Sequence, residues 1–355
     1  MPNTLLKDLG IQLPIIQAPM AGTSTVALAA AVSNAGGLGS LGLAISGVAD
    51  AREQIQQLKQ ATDKPFNVNF FCHPAPASDT SREQQWIKTL QPYFAEFSAE
   101  APKQLSAGNP SLLDNHAMLE MLLEERPPVV SFHFGLPSTD FIQALKQVGI
   151  KLLGCATNVS EAQAIVAAGL DGVIAQGYEA GGHRGVFDPS QDVKLGLFSL
   201  LQLLEKECSL PIIAAGGIMH GQAIAQVMDM GASAAQLGTA FILCPESAAS
   251  PAYREQLKSA RAYQTGITSV ISGRPARGLV NRFHTELADQ HALLPGYPTT
   301  YSAGRALHAA ASQHDCHEFA PYWAGQSAPL AREMPAADLV QLLAKEWQHA
   351  CIYSF

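Results

Sequence analysis

Short apolar runs rich in Val, Ile, Leu and Ala alternate with helical patterns along most of the chain. The runs are "PIIQAPM" (14–20), "LGSLGLA" (38–44), "PFNVNFFC" (65–72), "VVSFHFG" (129–135), "KLLGCATN" (151–158), "GVIAQG" (172–177), "PIIAAGG" (211–217) and "AAQLGTAF" (234–241). They are close to continuously apolar, as expected of strands covered on both faces in a parallel sheet. Between them, "STVALAAAVSNAGG" predicts a helix with Ser24 as N-cap and Gly36 as its stop, and "SEAQAIVAAGLDG" repeats the pattern with Ser160 and Gly169. Strand–helix units of this kind, eight in number, close most economically into a (β/α)8 (TIM) barrel, so the expected fold class is α/β.

Two stretches break the rhythm. Residues 73–126 contain helical patterns around "QQWIKTLQPYFAEF" and "LLDNHAMLEMLLEE", an insertion after the third strand, and residues 246–355 are helical or loop-like. The expected organisation is a barrel over 1–245, insertion included, with 246–355 packing as a lid on its mouth.

Composition narrows the class of ligand. The chain has 355 residues, 47% of them hydrophobic, enough to bury one large core. A formal charge of -8 without a basic stripe argues against nucleic acid and anionic membrane surfaces and leaves a small molecule as the expected partner. No apolar run approaches the roughly 20 residues of a membrane span, and "MPNTLLKDLG" lacks the features of a signal peptide, so a cytoplasmic protein is expected. Cys72, Cys155, Cys208, Cys244, Cys316 and Cys351 form no CxxC pair and read as reduced thiols.

Barrel chemistry sits at the C-terminal ends of the strands. Those ends hold Met20 and Gly22, Asn69, His133, Gln176 followed by Gly181 and His183, then Gly216 with Gly217, and Gly238 with Thr239. The glycines on the last two strands suit a phosphate bound by backbone N–H groups and at a helix N-terminus directly after Gly216 and Gly217, although that pair also reads as a tight turn. "GGLGSLG" (36–42) contains GxGxxG but follows a helix and enters a strand, the reverse of a dinucleotide site. The amides of Asn69 and Gln176 suit a heterocycle with donors and acceptors, and Met20 offers an apolar shelf; FMN fits both. As a lone signal, Asn69 reads equally as a turn or core amide. "HDCHE" (314–318) lacks metal-ligand spacing and is expected to be a solvated loop, with no metal.

Taken in order, "QAPMAG", "FNVNFFC", "DGVIAQGYEAGGHRG", "PIIAAGGI", "GASAAQLGTAF", "SGRPARGLVN" (272–281) and "YWAGQ" (322–326) resemble the nitronate monooxygenase family, formerly called 2-nitropropane dioxygenases. The resemblance implies an FMN-containing barrel that oxidises alkyl nitronates such as propionate 3-nitronate with O2 to a carbonyl compound and nitrite, without NAD(P)H. It implies FMN contacts at Asn69, Gln176, Gly181, Gly217, Gln236, Leu237, Gly238 and Thr239, and a catalytic His183. An imidazole there can take a proton from the carbon beside a nitro group, or stay protonated and bind the nitronate anion. His133 is expected as a second pocket residue, and Tyr301 is expected to close the substrate pocket. The alternatives are an FMN-dependent enoyl-[acyl carrier protein] reductase using NAD(P)H, and a non-catalytic barrel that binds a phosphorylated ligand.

Overall fold

The computed structural model describes residues 4–75, 79–106, 108, 111–113 and 115–353. Its strands are β1 (Ile15–Gln17), β2 (Gly39–Gly42), β3 (Phe66–Phe71), β4 (Val129–His133), β5 (Lys151–Ala156), β6 (Gly172–Gln176), β7 (Gly182–His183), β8 (Ile212–Ala215), β9 (Ala234–Leu237), β10 (Thr265–Thr268) and β11 (Ala276–Leu279). The main sheet runs β1-β9-β8-β6-β5-β4-β3-β2 with parallel pairing. A parallel bridge between Ile16 and Leu38 joins its two ends, closing the barrel. All eight expected strands are therefore present in the expected architecture.

The apolar runs explain why. Every residue of β6 is buried, because its side chains point alternately into the barrel and under the helices. Ile16, Leu38, Val129, Leu153, Ile174, Ile213 and Ala234 fill the interior, and Leu5, Leu9 and Ile11 join the same cluster from the N-terminal segment. A second, larger cluster lies between the sheet and the helices.

The helix caps differ from the expected ones. Thr25 caps helix Val26–Asn34 by accepting from Leu28 N–H, whereas Ser24 accepts from Met20 N–H and the Gln17 amide. Asn158, not Ser160, caps helix Val159–Ala167. Both Gly36 and Gly169 follow their helices at positive φ, as expected.

The two irregular regions divide differently between barrel and mouth. Helix His116–Glu125 packs in the barrel's outer layer against helices Val48–Ala61 and Thr139–Gln147. Helix Thr80–Glu96 instead shares a separate core with the C-terminal region, where Trp86, Leu90 and Phe94 meet Phe283, Leu307 and Phe319. The last helix, Ala336–Tyr353, packs against helices Gly221–Asp229 and Val26–Asn34, on the flank of the barrel and not over its mouth. Its Leu339, Val340 and Leu343 belong to the core cluster beneath the barrel helices. No helix of the described residues is long and apolar enough to cross a membrane.

Candidate active site

The loop after β6 is held by the region beyond the barrel. Its residues Gly182–His183 form β7, which pairs antiparallel with β11; β11 in turn pairs with β10. Gln176, at the end of β6, fastens the same loop from below. Its Nε2 donates to His183 O at 3.0 Å, and its Oε1 accepts from Gly185 N–H at 2.7 Å and from Arg184 at 3.2 Å. Arg184 turns away from the mouth into an ion pair with Asp192, at 3.0 Å.

Gly181 has a steric reason to be glycine. A Cβ there would lie 2.5 Å from Gly325 N and 2.6 Å from Ala324 C, both backbone atoms that cannot swing aside. The crowding comes from the "WAG" segment (323–325) of the C-terminal region, whose Trp323 bridges to Gly278 of β11, so on this side the neighbour is protein. Gly181→Val is expected to lower thermal stability by about 1–3 kcal/mol through overpacking, read as a fall in Tm on a calorimetric scan. A Tm equal to the parent's would show that residues 324–325 are free to move off the loop.

His183 occupies the centre of an aromatic cage. The ring centroids of Trp323, Tyr297, Phe134, Phe71 and Tyr301 lie 5.3, 5.6, 5.7, 6.3 and 6.3 Å from its own. Its Nε2 is 2.9 Å from Ser272 Oγ. His133 Nε2 lies 3.2 Å from His183 O; that carbonyl can only accept, so His133 carries its proton on Nε2.

Both imidazoles are held neutral. Burial, then the neighbouring His133 and then Arg274, push His183 down to about 3. Burial, with Arg274 and Arg184 behind it, pushes His133 down to about 4 against the opposing hydrogen bond to His183. Unfolded, each would titrate near ~6.5, so the unfolded chain binds more protons below that pH and acid favours unfolding. Stability is expected to be flat above pH ~7 and to fall below about 6.5, by about 1.4 kcal/mol per pH unit for each imidazole. Urea titrations from pH 7.5 to 5 measure this slope; a flat profile would mean that the cage is wet.

The remaining expected residues fall into two groups. Asn69 lies within β3, two residues before its end, and spends its Nδ2 on Ser131 O and Oγ, at 3.1 and 3.0 Å, which leaves Oδ1 for another donor. Gln236 Oε1 is buried without a hydrogen-bond partner among the described residues. Met20 brings its sulfur to 3.9 Å from the Cβ position that Gly238 leaves empty. Gly216 and Gly217 turn consecutively through φ 126° and 70°, a backbone route that L side chains resist. These groups share one end of the barrel and have capacity to spare.

The other group is committed within the protein. Besides Gln176 and Gly181, the Leu237 side chain is buried in the core and Thr239 Oγ1 accepts from Gly325 N–H at 3.0 Å. Gly22 sits exposed in the turn after Met20. The glycine pair is not at a helix N-terminus. Residues 218–220 intervene before helix Gly221–Asp229, whose first N–H donates to Glu346 and whose cap is His220. Sequence reasoning also missed Ser272, Arg274, Tyr297 and Trp323. All four lie within or near stretches that stood out, but nothing local placed them beside His183. Arg274 is buried with its guanidinium 4.2 Å from the Phe134 ring centre, and its Nε has no hydrogen-bond partner among the described residues.

A closed parallel barrel with a caged imidazole at the C-terminal ends of its strands has the architecture in which (β/α)8-barrel enzymes place their active sites. Comparison with known proteins sets the particular kind: the chain belongs to the nitronate monooxygenase family, whose model matches residues 3–346. It is 53% identical to a nitronate monooxygenase of Pseudomonas aeruginosa over 348 residues, covering 98% of this chain and 99% of the relative. Among solved structures, the nitroalkane oxidase of Streptomyces ansochromogenes superposes with a TM-score of 0.89 at 39% identity, covering 98% of this chain and 99% of its own. FabK from Thermotoga maritima superposes with a TM-score of 0.73 at 29% identity, covering 99% and 98%.

Proposed function

We propose that the protein is an FMN-dependent nitronate monooxygenase, converting alkyl nitronates such as propionate 3-nitronate and O2 into a carbonyl compound and nitrite. Family membership supports the reaction class, and one observation carries the site: the His183 imidazole stands among five aromatic rings at the end of the barrel where Gln236 Oε1 is buried without a partner. An orphaned acceptor of this kind costs on the order of 1–3 kcal/mol unless a ligand donor meets it.

The residues present fit the flavin. Gln236 and Asn69 would meet the polar edge of its ring system, Met20 would lie against the ring, and the backbone of Gly216, Gly217 and Gly238 would receive the phosphate. When bound, FMN supplies the redox chemistry, accepting electrons from the organic substrate and delivering them to O2.

The protein's own contribution to nitronate oxidation is position and dryness, with a proton acceptor for a substrate that arrives as the neutral nitroalkane. The aromatic rings keep bulk water from the reacting carbon. His183, held neutral by burial, presents a lone pair and not a resident cation to the substrate; burial also weakens it as a base, so its use as a proton acceptor depends on its position beside the reacting carbon. This favours the first of the two roles that the residues alone left open.

Anaerobic addition of propionate 3-nitronate to the yellow protein should change the flavin spectrum, and air should then release nitrite. A spectrum indifferent to nitronate but bleached at once by NADH would replace this reading with the reductase. Colourless protein that takes up no FMN would replace it with a barrel for another phosphorylated ligand.

A further inference from the structure

We infer that Ser272 is a positioning residue that fixes the tautomer of His183, making Nδ1 the atom that takes the substrate proton. The inference rests on the reading of His183 as proton acceptor, and its own basis is a hydrogen count at one buried hydroxyl.

Ser272 is fully buried, so no water completes its bonding. Its Oγ has three neighbours. It lies 3.0 Å from Arg274 O, 3.3 Å from Arg274 N and 2.9 Å from His183 Nε2. A serine hydroxyl has one hydrogen to give. Arg274 O can only accept and has no other partner among the described residues. Arg274 N–H can only donate. The hydroxyl hydrogen therefore goes to Arg274 O, and the remaining contact, from His183, must be an N–H donated by Nε2. The opposite assignment would send the hydroxyl hydrogen to Nε2 and leave a buried carbonyl unpaired, the more costly arrangement.

A neutral imidazole carries one N–H. With it on Nε2, the lone pair is on Nδ1, which meets no hydrogen-bond partner among the described residues. The second fastening of His183 acts on its backbone: the carbonyl accepts from both Gln176 Nε2 and His133 Nε2. Ring and backbone are thus each held by protein donors and acceptors, and the one atom left over is a base.

The step balances simply. The C–H bond beside the nitro group breaks, its electron pair delocalises into the nitro group to give the nitronate, and the proton forms an N–H bond at Nδ1. The resulting imidazolium keeps its Nε2–H on Ser272 and gains no unpaired donor on that side. The β10–β11 hairpin therefore does more than cover the mouth. The turn between its strands delivers the hydroxyl that selects the reactive nitrogen.

The test reads the tautomer directly. Long-range proton–nitrogen NMR on 15N-histidine-labelled protein, with the His183 signals identified by their loss in His183→Gln, should show a protonated Nε2 and an unprotonated Nδ1 at pH 7. Ser272→Ala should populate the other tautomer and lower turnover of a neutral nitroalkane roughly tenfold, the weight of one hydrogen bond. Its effect on a preformed nitronate should be smaller, because no proton leaves carbon there, and Ser272→Thr, which keeps the hydroxyl, should restore the wild-type tautomer.

Wild-type protein with its proton on Nδ1, or a Ser272→Ala spectrum unchanged from wild type, would overturn the assignment of Ser272. Wild-type nitroalkane turnover in His183→Gln would instead overturn the reading of His183 as the proton acceptor, and the role of Nδ1 with it.

Discussion

Replacing His183 with alanine should cut turnover of a neutral nitroalkane by about 10²–10⁴-fold, the usual worth of a positioned general base. With a preformed nitronate the loss should be far smaller. The difference follows from where the proton is. A nitroalkane must surrender its α-proton inside the cage, and Nδ1 of a neutral imidazole is the acceptor that the site provides. A nitronate has surrendered it already. If His183 were instead a cation that binds the anion, both substrates would suffer, and the nitronate more. Steady-state nitrite release with each substrate, normalised to bound flavin, separates the two cases. Equal losses would end the base assignment.

The same comparison bears on pH. A base held down to about 3 is deprotonated across the neutral range, so the acid limb of nitroalkane turnover should not fall with an ionisation near 6.5. An ordinary histidine limb would mean that substrate binding admits water or an anion beside the ring.

Much of this architecture was legible along the chain. The eight barrel strands announce themselves because each is buried on both faces, and such strands are written as near-continuous apolar runs broken only by buried polar residues such as Ser40, Asn67 and Ser131. Cap positions were harder where capable residues cluster. In Thr23–Ser24–Thr25 the hydroxyls are interchangeable by propensity, and the choice fell to tertiary partners: Gln17 claims Ser24, and Glu246 O accepts from Thr25.

His183 stood out because its glycines leave it no local core. Its surroundings were illegible for the converse reason. Ser272, Tyr297 and Trp323 are far from it in sequence and reach it only through tertiary packing, the pairing of β11 with β7 included. Periodicity carries no information about such contacts. The glycines of "EAGGHRG" carry a second reason that the sequence does not show: a side chain at Gly181 would meet the backbone of Ala324 and Gly325.

The second large effect is expected at Arg184, the neighbour of His183 in sequence. Its side chain is fully buried and its partner Asp192 is 5% exposed, with Nε and Nη2 donating to the two carboxylate oxygens at 3.0 and 3.1 Å. Nη1 donates to Gly177 O at 2.9 Å and to Gln176 Oε1 at 3.2 Å. Arg184→Met should therefore destabilise the protein by about 3–5 kcal/mol, because it strands a buried carboxylate and not because the pair itself is worth that much. The double variant with Asp192→Asn should recover a substantial part, and a full double-mutant cycle by urea denaturation isolates the coupling.

The pH dependence has a definite sign. Burial alone would raise the Asp192 carboxyl, but the hydrogen bond and charge of Arg184 outweigh it and hold the group below its ordinary value. The pair's contribution is thus fully present above the unfolded value near ~3.9 and is lost as pH falls through the lower folded value. That window opens only at the acid end of the one in which the histidines act, which runs from ~6.5 down to their folded values of about 4 and about 3, so Asp192 shows as an added slope below ~3.9 on the same titration.

Catalysis should fall along with stability. Arg184 orients the Gln176 amide whose other end holds His183 O, so a loosened Gln176 frees the imidazole to wander within its cage. Arg184→Met protein that remained folded at low temperature yet turned over nitroalkane at the wild-type rate would show that His183 is held by Ser272 and His133 alone.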